Sequence, residues 1–347
     1  MTPMPPQPRD FRDDATTCQR PILIFGAPRS GTSLLSRLLN AHPNISIPFE
    51  SHLFNQWQSR SALYGDLSSS DAQLRLIEDI IRFGVVHDWN PLPRPREVLA
   101  HVEGNSFGAI ARAFLSNAAA AQGKPRWGEK TPHHTLLHRD VLEAWSDAMV
   151  ICIERDPRDV ALSWKRARFG GDHVLPFAKA WVRYSQACSE VKENFSSDRV
   201  FELKYETLVR RPEETLCTLM TFLGEAYDPS QLHFHEASSP WKTDSRNREK
   251  LRTPISPLSV GRWEQGLHAR EVRLIEAIAG SIMQQKGYAL STLGDGASSG
   301  AMAFARWIVA PAKRISGAAR NARGFVYLGR DIAWRLRAVG GRKVLRA

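Results

Sequence analysis

Short apolar runs alternate along this chain with longer segments in which apolar residues recur at helical spacing. Residues 21–25 form one such run, and residues 148–153 form a second one without any polar alternation. A continuous apolar run of this length is typical of a parallel strand that is buried on both faces. Segments 45–48 and 200–204 predict two further strands.

Helical periodicity marks the sequence between these strands. It predicts helices over residues 30–40, 71–88, 106–121, 212–223 and 268–286. The apolar residues that share a stripe on the second and third helices are Leu74, Ile77, Ile80 and Ile81, and then Phe107, Ile110, Phe114 and Leu115. Strands that alternate with helices predict an α/β protein with a mostly parallel, doubly wound sheet. Ligands of such sheets bind beyond the carboxyl ends of the strands.

A glycine-bounded loop follows the first strand at such an end. The segment Gly-Ala-Pro-Arg-Ser-Gly-Thr-Ser at 26–33 has the spacing of a phosphate-binding Walker A loop that leads into a helix. Thr32 stands where the lysine of that motif belongs, and Arg29 supplies a charge inside the loop. Taken alone, the loop is equally compatible with nucleotide binding and with an ordinary turn between strand and helix.

A second polar loop follows the longer apolar run. Arg155 leaves the strand, and Ser163 lies eight residues further on, two turns along the same side of a helix. The two loops together offer two anion sites at one edge of the sheet, as a nucleotide phosphorylated at both its 3′ and 5′ positions requires. The alternative is a set of exposed ion pairs that join Arg155 to Asp159 and Arg158 to Asp156.

The composition is that of a large folded domain with a basic appendage. The chain has 347 residues, of which 42% are hydrophobic and 24% charged, enough for a full core. Its net charge of +11 is uneven, because residues 301–347 carry eleven Lys or Arg against one acid, Asp331, and account for +10. We expect a flexible N-terminus at 1–20, a main domain at 21–290, a Gly/Ser-rich linker at 291–300 and a basic amphipathic tail at 301–347.

The tail interleaves aromatic and aliphatic residues with its basic ones, and Pro311 separates two predicted helices. One interpretation is an amphipathic anchor on an anionic membrane surface. The alternative is a helix that packs back on the domain or into a homodimer. Nucleic acid is not expected as a partner, because no RNA- or DNA-binding motif accompanies the charge.

Cysteine and histidine spacing argues against a metal site. The cysteines, Cys18, Cys152, Cys188 and Cys217, are far apart and lack CxxC spacing, which indicates a reducing compartment. The histidine pairs at 133–134 and at 233 and 235 have no carboxylate at a convincing ligand spacing. The N-terminal segment lacks the apolar stretch of a signal peptide, and no segment has the roughly 18 apolar residues of a membrane span. We expect a cytoplasmic location, either free or peripheral at the inner face of the membrane.

The two loops and five shorter segments together resemble sulfotransferases that use 3′-phosphoadenosine 5′-phosphosulfate (PAPS). The shorter segments are Asn-Ala-His-Pro at 40–43, Phe-Glu at 49–50, Gly-Glu-Lys-Thr-Pro at 128–132, Lys-Tyr-Glu-Thr-Leu-Val at 204–209 and Val-Gly-Arg-Trp at 260–263. Their order is that of the branch containing tyrosylprotein sulfotransferases and bacterial relatives, and it covers about residues 20–290. The resemblance implies a P-loop-NTPase-like three-layer sandwich with a central, mostly parallel sheet flanked by helices, plus a basic helical C-terminal extension.

The resemblance also implies roles for individual residues. The 5′-phosphosulfate would be held by Arg29, Ser30, Gly31, Thr32 and Ser33, and the 3′-phosphate by Arg155 and Ser163, with Tyr205 against the nucleotide. Weaker candidates for a loop over the nucleotide are Ser239, Lys242, Arg252, Arg262 and Trp263. No metal is then required, because a sulfonate carries a single charge that positioned cations can balance.

The implied catalytic residues are Glu50, Arg29 and Lys130. Glu50 would accept the proton of an acceptor hydroxyl, and its alternative role is that of an acid at a helix start. Lys130 would stabilise the transferring sulfonate, and the alternative is a solvated loop lysine with Glu129 as its ion-pair partner. The function expected is sulfonate transfer by in-line displacement to a carbohydrate, lipid-linked, tyrosyl or small-molecule hydroxyl. An ATP-dependent kinase or NTPase, or a nucleotide-binding module without activity, remain as alternatives.

Overall fold

The computed structural model describes residues 20–167, 173–236, 251–291, 329–335 and 337. The strands within these ranges are β1 (Ile22–Phe25), β2 (Ile45–Ser46), β3 (Arg126–Glu129), β4 (Met149–Glu154) and β5 (Val200–Lys204). They form one sheet in the order β2-β3-β1-β4-β5, with every neighbouring pair parallel. In the centre, Leu23 of β1 lies opposite Glu129 on one side and Val150 on the other.

Helices connect the strands and cover the sheet. The α-helices are α1 (Thr32–Ala41), α2 (Ser59–Ser61), α3 (Ser70–Phe83), α4 (Pro95–Ala100), α5 (Phe107–Ala120), α6 (His138–Ala144), α7 (Pro157–Lys165), α8 (Leu175–Asn194), α9 (Tyr205–Arg210), α10 (Pro212–Leu223), α11 (Trp263–Gly266) and α12 (Ala269–Gln285). A π-helical turn spans Phe54–Gln58, and short 3₁₀ helices span Ala62–Tyr64, Val85–Asp88, Pro132–Leu137, Pro229–Gln231 and Pro257–Ser259. A further helix covers residues 329–335.

The sheet lies between two helical layers. Leu23 and Phe25 of β1 face a core shared with α3, α5, α6 and α8, whereas Ile22 and Ile24 face a core shared with α1, α9 and α10. Successive residues of a strand point to opposite faces, so the core on each side of β1 accounts for its run of apolar residues. This arrangement confirms the predicted α/β three-layer sandwich with a parallel sheet.

Several elements were not predicted from the sequence, among them the short helices α2, α4, α6, α9 and α11. Strand β3 reads as polar, yet Arg126 is fully buried and its guanidinium donates to the backbone oxygens of Arg20 and Leu223 and to Glu225. Helix α8 was not assigned either. On α3 the predicted stripe needs a correction, since Leu76 is buried in the core and Leu74 is only partly buried.

The helix at residues 329–335 packs back on the main domain. Trp334 is buried, its ring lies 5.9 Å from that of Trp57, and its Nε1 donates to Tyr64 Oη at 3.1 Å. The Arg60 guanidinium lies 4.1 Å from the Trp334 ring centre and pairs with Asp331. Of the two interpretations of the tail, packing on the domain holds for this segment. All but the last residue of the predicted N-terminal segment at 1–20, and most of the linker and tail, lie outside the described residues.

Candidate functional site

The loop after β1 is packed too tightly to accept larger residues at its glycines. A Cβ on Gly26 would come within 2.4 Å of the Ile153 backbone oxygen. Gly31 has a φ of +98°, and a Cβ there would lie 2.4 Å from Cδ2 of Tyr205, the first residue of α9. The Gly26 N–H donates to Thr135 Oγ1 at 2.9 Å, and Arg29 itself has a positive φ of 74°. The sequence-predicted loop is therefore a defined cradle rather than an open turn.

Two buried donors of the residues around this cradle have no hydrogen-bond partner in the described chain. Helix α1 begins at Thr32, so its first backbone N–H groups belong to the loop. Within the described part of the chain, the buried Ser30 Oγ and Arg155 Nε have no hydrogen-bond partner. An unsatisfied buried donor costs about 1–3 kcal/mol, and the oxygens of a bound anion would remove that cost. The residues present thus fit a phosphate or sulfonate ligand.

The second predicted loop reaches the first one. Arg29 Nε donates to Ser163 Oγ at 3.0 Å, and Arg155 Nη1 donates to the Arg29 backbone oxygen at 3.2 Å. The Arg155 guanidinium lies 4.3 Å from the ring centre of Tyr205. Burial, and then the charge of Arg155, lower the pKa of Arg29, although Glu50 and Tyr205 act in the opposite direction. Two guanidinium groups held this close favour the binding of an anion.

The ion pairs expected as the alternative at the start of α7 are present, but they are buried rather than exposed. The Arg158 side chain is only 6% exposed and bonds Asp156 at 2.7 Å and Glu276 at 2.7 Å. Arg155 Nη2 lies 4.0 Å from Asp159, a buried carboxylate. These charges are therefore paired inside the protein, where the loss of one partner destabilises the fold more than it does at the surface.

A C-terminal segment is fastened to the same helix. Asp159 accepts hydrogen bonds from the backbone N–H groups of Gly261 at 2.8 Å and Trp263 at 2.9 Å. Arg155 Nη2 donates to the backbone oxygen of Ser259, and the Arg158 guanidinium lies 3.9 Å from the ring centre of Trp263. Trp263 thus lies beside the second loop. Arg252 and Arg262 are exposed, and Ser239 and Lys242 lie outside the described residues.

A carboxylate and an ammonium group meet where β2 and β3 end. Lys130 follows β3, and its Nζ lies 2.6 Å from Glu50 Oε1 and 3.2 Å from Ser33 Oγ. Burial alone would raise the pKa of Glu50, but the charge of Lys130 and the hydrogen bond from His52 hold that pKa well below its usual range. Glu50 is therefore ionised, and Lys130, which is buried, is not a solvated loop lysine.

Glu129 is not the partner of Lys130. Its carboxylate points the other way and accepts hydrogen bonds from Ser51 Oγ at 2.8 Å, Thr131 Oγ1 at 2.6 Å and His134 Nδ1 at 2.9 Å. Adjacent residues at a strand end project to opposite sides, which explains why only one of the pair reaches Glu50.

Sequence reasoning missed one residue of this cluster. His52 Nε2 lies 3.3 Å from Glu50 Oε2, so the carboxylate is held on both oxygens. The only signal was its place two residues after Glu50. Among the described residues, no group of three or more His, Cys, Asp and Glu side chains is arranged to hold a metal ion.

A model described as the sulfotransferase family matches residues 21–229, more than half of the chain. The chain belongs to this family. The matched residues include both anion loops, Glu50 and Lys130. The resemblance identified from the motifs is thereby confirmed.

Individual relatives agree with this assignment. A Drosophila melanogaster protein-tyrosine sulfotransferase is 26% identical over 271 residues, 74% of this chain and 50% of its own length. An uncharacterised Aquifex aeolicus protein is 25% identical over 71% of this chain, which spans 31% of that protein. The sulfotransferase domain from the curacin biosynthetic pathway superposes with a TM-score of 0.57 at 18% identity, covering 79% of this chain and 99% of that domain. The structural likeness supports the fold.

Proposed function

We propose that the protein transfers a sulfonate group from PAPS to the hydroxyl of an acceptor. The observation that carries the proposal is the convergence of Arg29 and Arg155, 126 residues apart, beside buried donors that lack partners in the described chain. An ionised carboxylate, Glu50, lies next to this cationic cradle and shares Lys130 with it. Anion binding and proton removal are thus available side by side.

The donor would be held by the two loops. Arg29 and residues 30–33, with the N–H groups at the start of α1, would take the 5′-phosphosulfate. Arg155 and Ser163 would take the 3′-phosphate, and Tyr205 supports both the Arg155 guanidinium and Gly31. Because these groups already touch one another, a ligand phosphorylated at both positions would replace contacts within the protein by contacts to its oxygens.

The transfer itself needs one base and several cations. The acceptor oxygen forms a bond to sulfur while the bond from sulfur to the 5′-phosphate oxygen breaks, and the leaving adenosine 3′,5′-bisphosphate keeps the electron pair. Glu50 takes the acceptor proton. Arg29 and Lys130 balance the charge on the leaving phosphate and the sulfonate, a preorganised electrostatic contribution.

Lys130 links the state of the donor site to the strength of the base. With Lys130 held against Glu50, the carboxylate is a weak base because its pKa lies below the usual range. Once Lys130 also contacts the oxygens of the donor, its effect on Glu50 decreases, and burial then raises the pKa of Glu50. The base would thus strengthen when the donor is bound.

Calorimetry with adenosine 3′,5′-bisphosphate and with ATP tests the donor site. The bisphosphate should bind at least about tenfold more tightly than ATP, since ATP lacks the 3′-phosphate that Arg155 and Ser163 would hold. Arg155→Ala should remove this preference. Equal affinity for ATP would overturn the proposal in favour of a kinase or NTPase.

Glu50→Gln separates an enzyme from a binding module. The variant should bind the bisphosphate as the wild type does and should lose transfer by about 100-fold or more. Acceptors are sought by mass spectrometry in cell extracts incubated with labelled PAPS, across tyrosyl, carbohydrate, lipid-linked and small-molecule hydroxyls. A wild type that binds bisphosphate but labels no acceptor would be a module. Cell fractionation tests the cytoplasmic location that we infer from the sequence.

A further inference from the structure

His52 occupies a backbone conformation that side chains avoid. Its φ is +52°, a left-handed conformation that costs a residue with a Cβ about 1–2 kcal/mol. Such conformations persist where the surroundings impose them, and they cluster at functional sites. The turn that contains His52 directly follows Glu50.

The surroundings that impose this turn are buried and polar. Thr131 Oγ1 accepts hydrogen bonds from the backbone N–H groups of Ser51 at 2.9 Å and His52 at 3.3 Å. The hydroxyls of Ser51 and Thr131 both donate to Glu129 Oε1. The buried Glu129 carboxylate thus holds the turn through Ser51 and Thr131, and the turn places the imidazole of His52 beside Glu50.

The hydrogen bonds of the imidazole define where its proton lies. The Asn55 side-chain nitrogen lies 3.2 Å from His52 Nδ1, and as an amide donor it requires Nδ1 to accept. The proton of the neutral ring is then on Nε2, 3.3 Å from Glu50 Oε2. Lys130 holds the other oxygen, so both oxygens of Glu50 are oriented.

We propose that His52 is a positioning residue that orients Glu50 through a hydrogen bond from Nε2 to Oε2. This inference rests on the proposed function. Lys130 fixes only one oxygen of the carboxylate, and the hydrogen bond from His52 fixes the other. Without this hydrogen bond, Glu50 would meet the acceptor hydroxyl less often in the productive geometry, so turnover should fall while donor affinity stays the same.

The neighbouring side chains have other contacts. Lys130 holds Oε1 of Glu50 from the end of β3, and His134 is tied to Glu129 at 2.9 Å. The His133 ring lies 5.6 Å from the His52 ring, which makes His133 the nearby imidazole that can serve as a control.

The experiment uses His52→Asn and His52→Gly, because Asn and Gly tolerate a positive φ and keep the turn intact. Turnover is measured as bisphosphate release from PAPS with a tyrosyl peptide, a monosaccharide or a phenol, whichever the wild type uses best. We expect turnover to fall about 10- to 100-fold, as for lost outer-shell partners of a reactive group. The KM for PAPS and the affinity for the bisphosphate should stay within about twofold of the wild-type values, because the donor contacts are untouched. Free imidazole should restore part of the rate of His52→Gly and none of the rate of Glu50→Gln.

His133→Gln is the matched control and should keep turnover near the wild-type level. The inference is overturned if the His52 variants keep the wild-type rate, if imidazole restores nothing to His52→Gly, or if His133→Gln loses as much turnover as they do. It is also overturned if the His52 variants lose bisphosphate affinity together with turnover, since that indicates general damage. A wild type without any transfer would overturn the proposed function and this inference with it. If the wild type is active, a negative result with the His52 variants overturns only the inference about His52.

Discussion

Glu50 shows how opposing effects on one residue decide what the site can do. Burial favours the protonated carboxyl, and Lys130 with His52 favours the carboxylate, so the pKa lies below its usual range. The sequence identified Glu50 and Lys130 through their motifs. Their contact joins residues 80 positions apart, and only the parallel neighbours β2 and β3 bring them together.

Lys130→Ala should raise the pKa of Glu50, because burial then becomes the dominant influence on the carboxyl group. Transfer at neutral pH should fall about 100-fold or more with the loss of a positioned cation. As the pH falls, the remaining activity should be lost at a higher pH than in the wild type, because Glu50 becomes protonated at a higher pH. The pH profile of bisphosphate release measures both effects. Lys179→Ala, at an exposed lysine of α8, is the control, and matching profiles for the two variants would contradict the expectation.

Gly31→Ala should disrupt the cradle. The added Cβ would lie 2.4 Å from Tyr205 Cδ2 at a φ of +98°, so Tyr205 and the loop must move apart. We expect a loss of about 1–3 kcal/mol in the free energy of unfolding and a loss of bisphosphate affinity of at least about tenfold. Gly65→Ala is the control, because Gly65 has a φ of +85° and open space around it. Calorimetry should find unchanged affinity in that control, and equal losses in both variants would count against the cradle.

At the scale of elements, the helix at 329–335 ties the end of the chain to the segment after Glu50. Residues 54–64 follow shortly after His52, and Trp57, Arg60 and Tyr64 of this stretch all contact the helix. Arg337 adds an ion pair to Asp79 of α3 at 3.2 Å. This helix and Arg337 therefore support the segment between Glu50 and α3.

Trp334→Ala should release this helix. It removes a buried ring and the donor to Tyr64, and cooperative loss of the docked helix should lower Tm by roughly 4 °C or more. Amide exchange over residues 54–64 should accelerate about tenfold, since the cover of this stretch is lost. Ile332→Ala, at a side chain that is 48% exposed, is the control and should leave exchange unchanged. Exchange that is unaffected by Trp334→Ala would show that the contact contributes nothing.

At the scale of the whole molecule, positive charge is concentrated in the C-terminal part of the sequence. The tail carries +10 of the net +11. No helix in the described ranges is long and apolar enough to cross a membrane. The docked helix buries Trp334 against the domain, so this ring is not exposed to a membrane surface.

The full chain should float with anionic vesicles at about 0.05 M salt and should be released at about 1 M, where the Debye length is only about 3 Å. Flotation should be lost when residues 301–347 are deleted. Vesicles of zwitterionic lipid are the control and should bind neither protein. Undiminished flotation of the truncated chain would contradict a role of the tail in membrane binding.

Acid should weaken the fold through Glu129. Burial would raise the pKa of this carboxyl, but His134, Thr131 and Ser51 lower it below its ordinary value. Its stabilising contribution is therefore present above about pH 4.3 and lost as the pH falls through the lower folded-state value. Glu129→Gln should lower the free energy of unfolding by about 1–3 kcal/mol at pH 7. It should also make the further decrease in that free energy on acidification smaller. Urea unfolding at pH 7 and pH 3.5 measures this, with the exposed Glu78→Gln as control, and equal pH dependence in both variants would disprove it.

Much of the fold was predictable because its signals are local. Apolar runs identified four of the strands in the described chain, and helical stripes identified α1, α3, α5, α10 and α12. Strand β3 was not predicted from the sequence, because the hydrogen-bond partners that allow the charged Arg126 to be buried come from distant segments. The composition of the site was predictable from its motifs, whereas His52 and the position of Glu129 were not.

The sequence by itself determined the α/β class, the two anion loops and the candidate base, because each depends on neighbours a few residues apart. Tertiary structure alone decided which groups meet. It joined Arg29 to Ser163 across 134 residues, Glu50 to Lys130 across 80 and Trp334 to Tyr64 across 270. Such pairings follow from the order of the strands and from the packing of two helical layers on one sheet. The spacing of residues along the chain does not predict them.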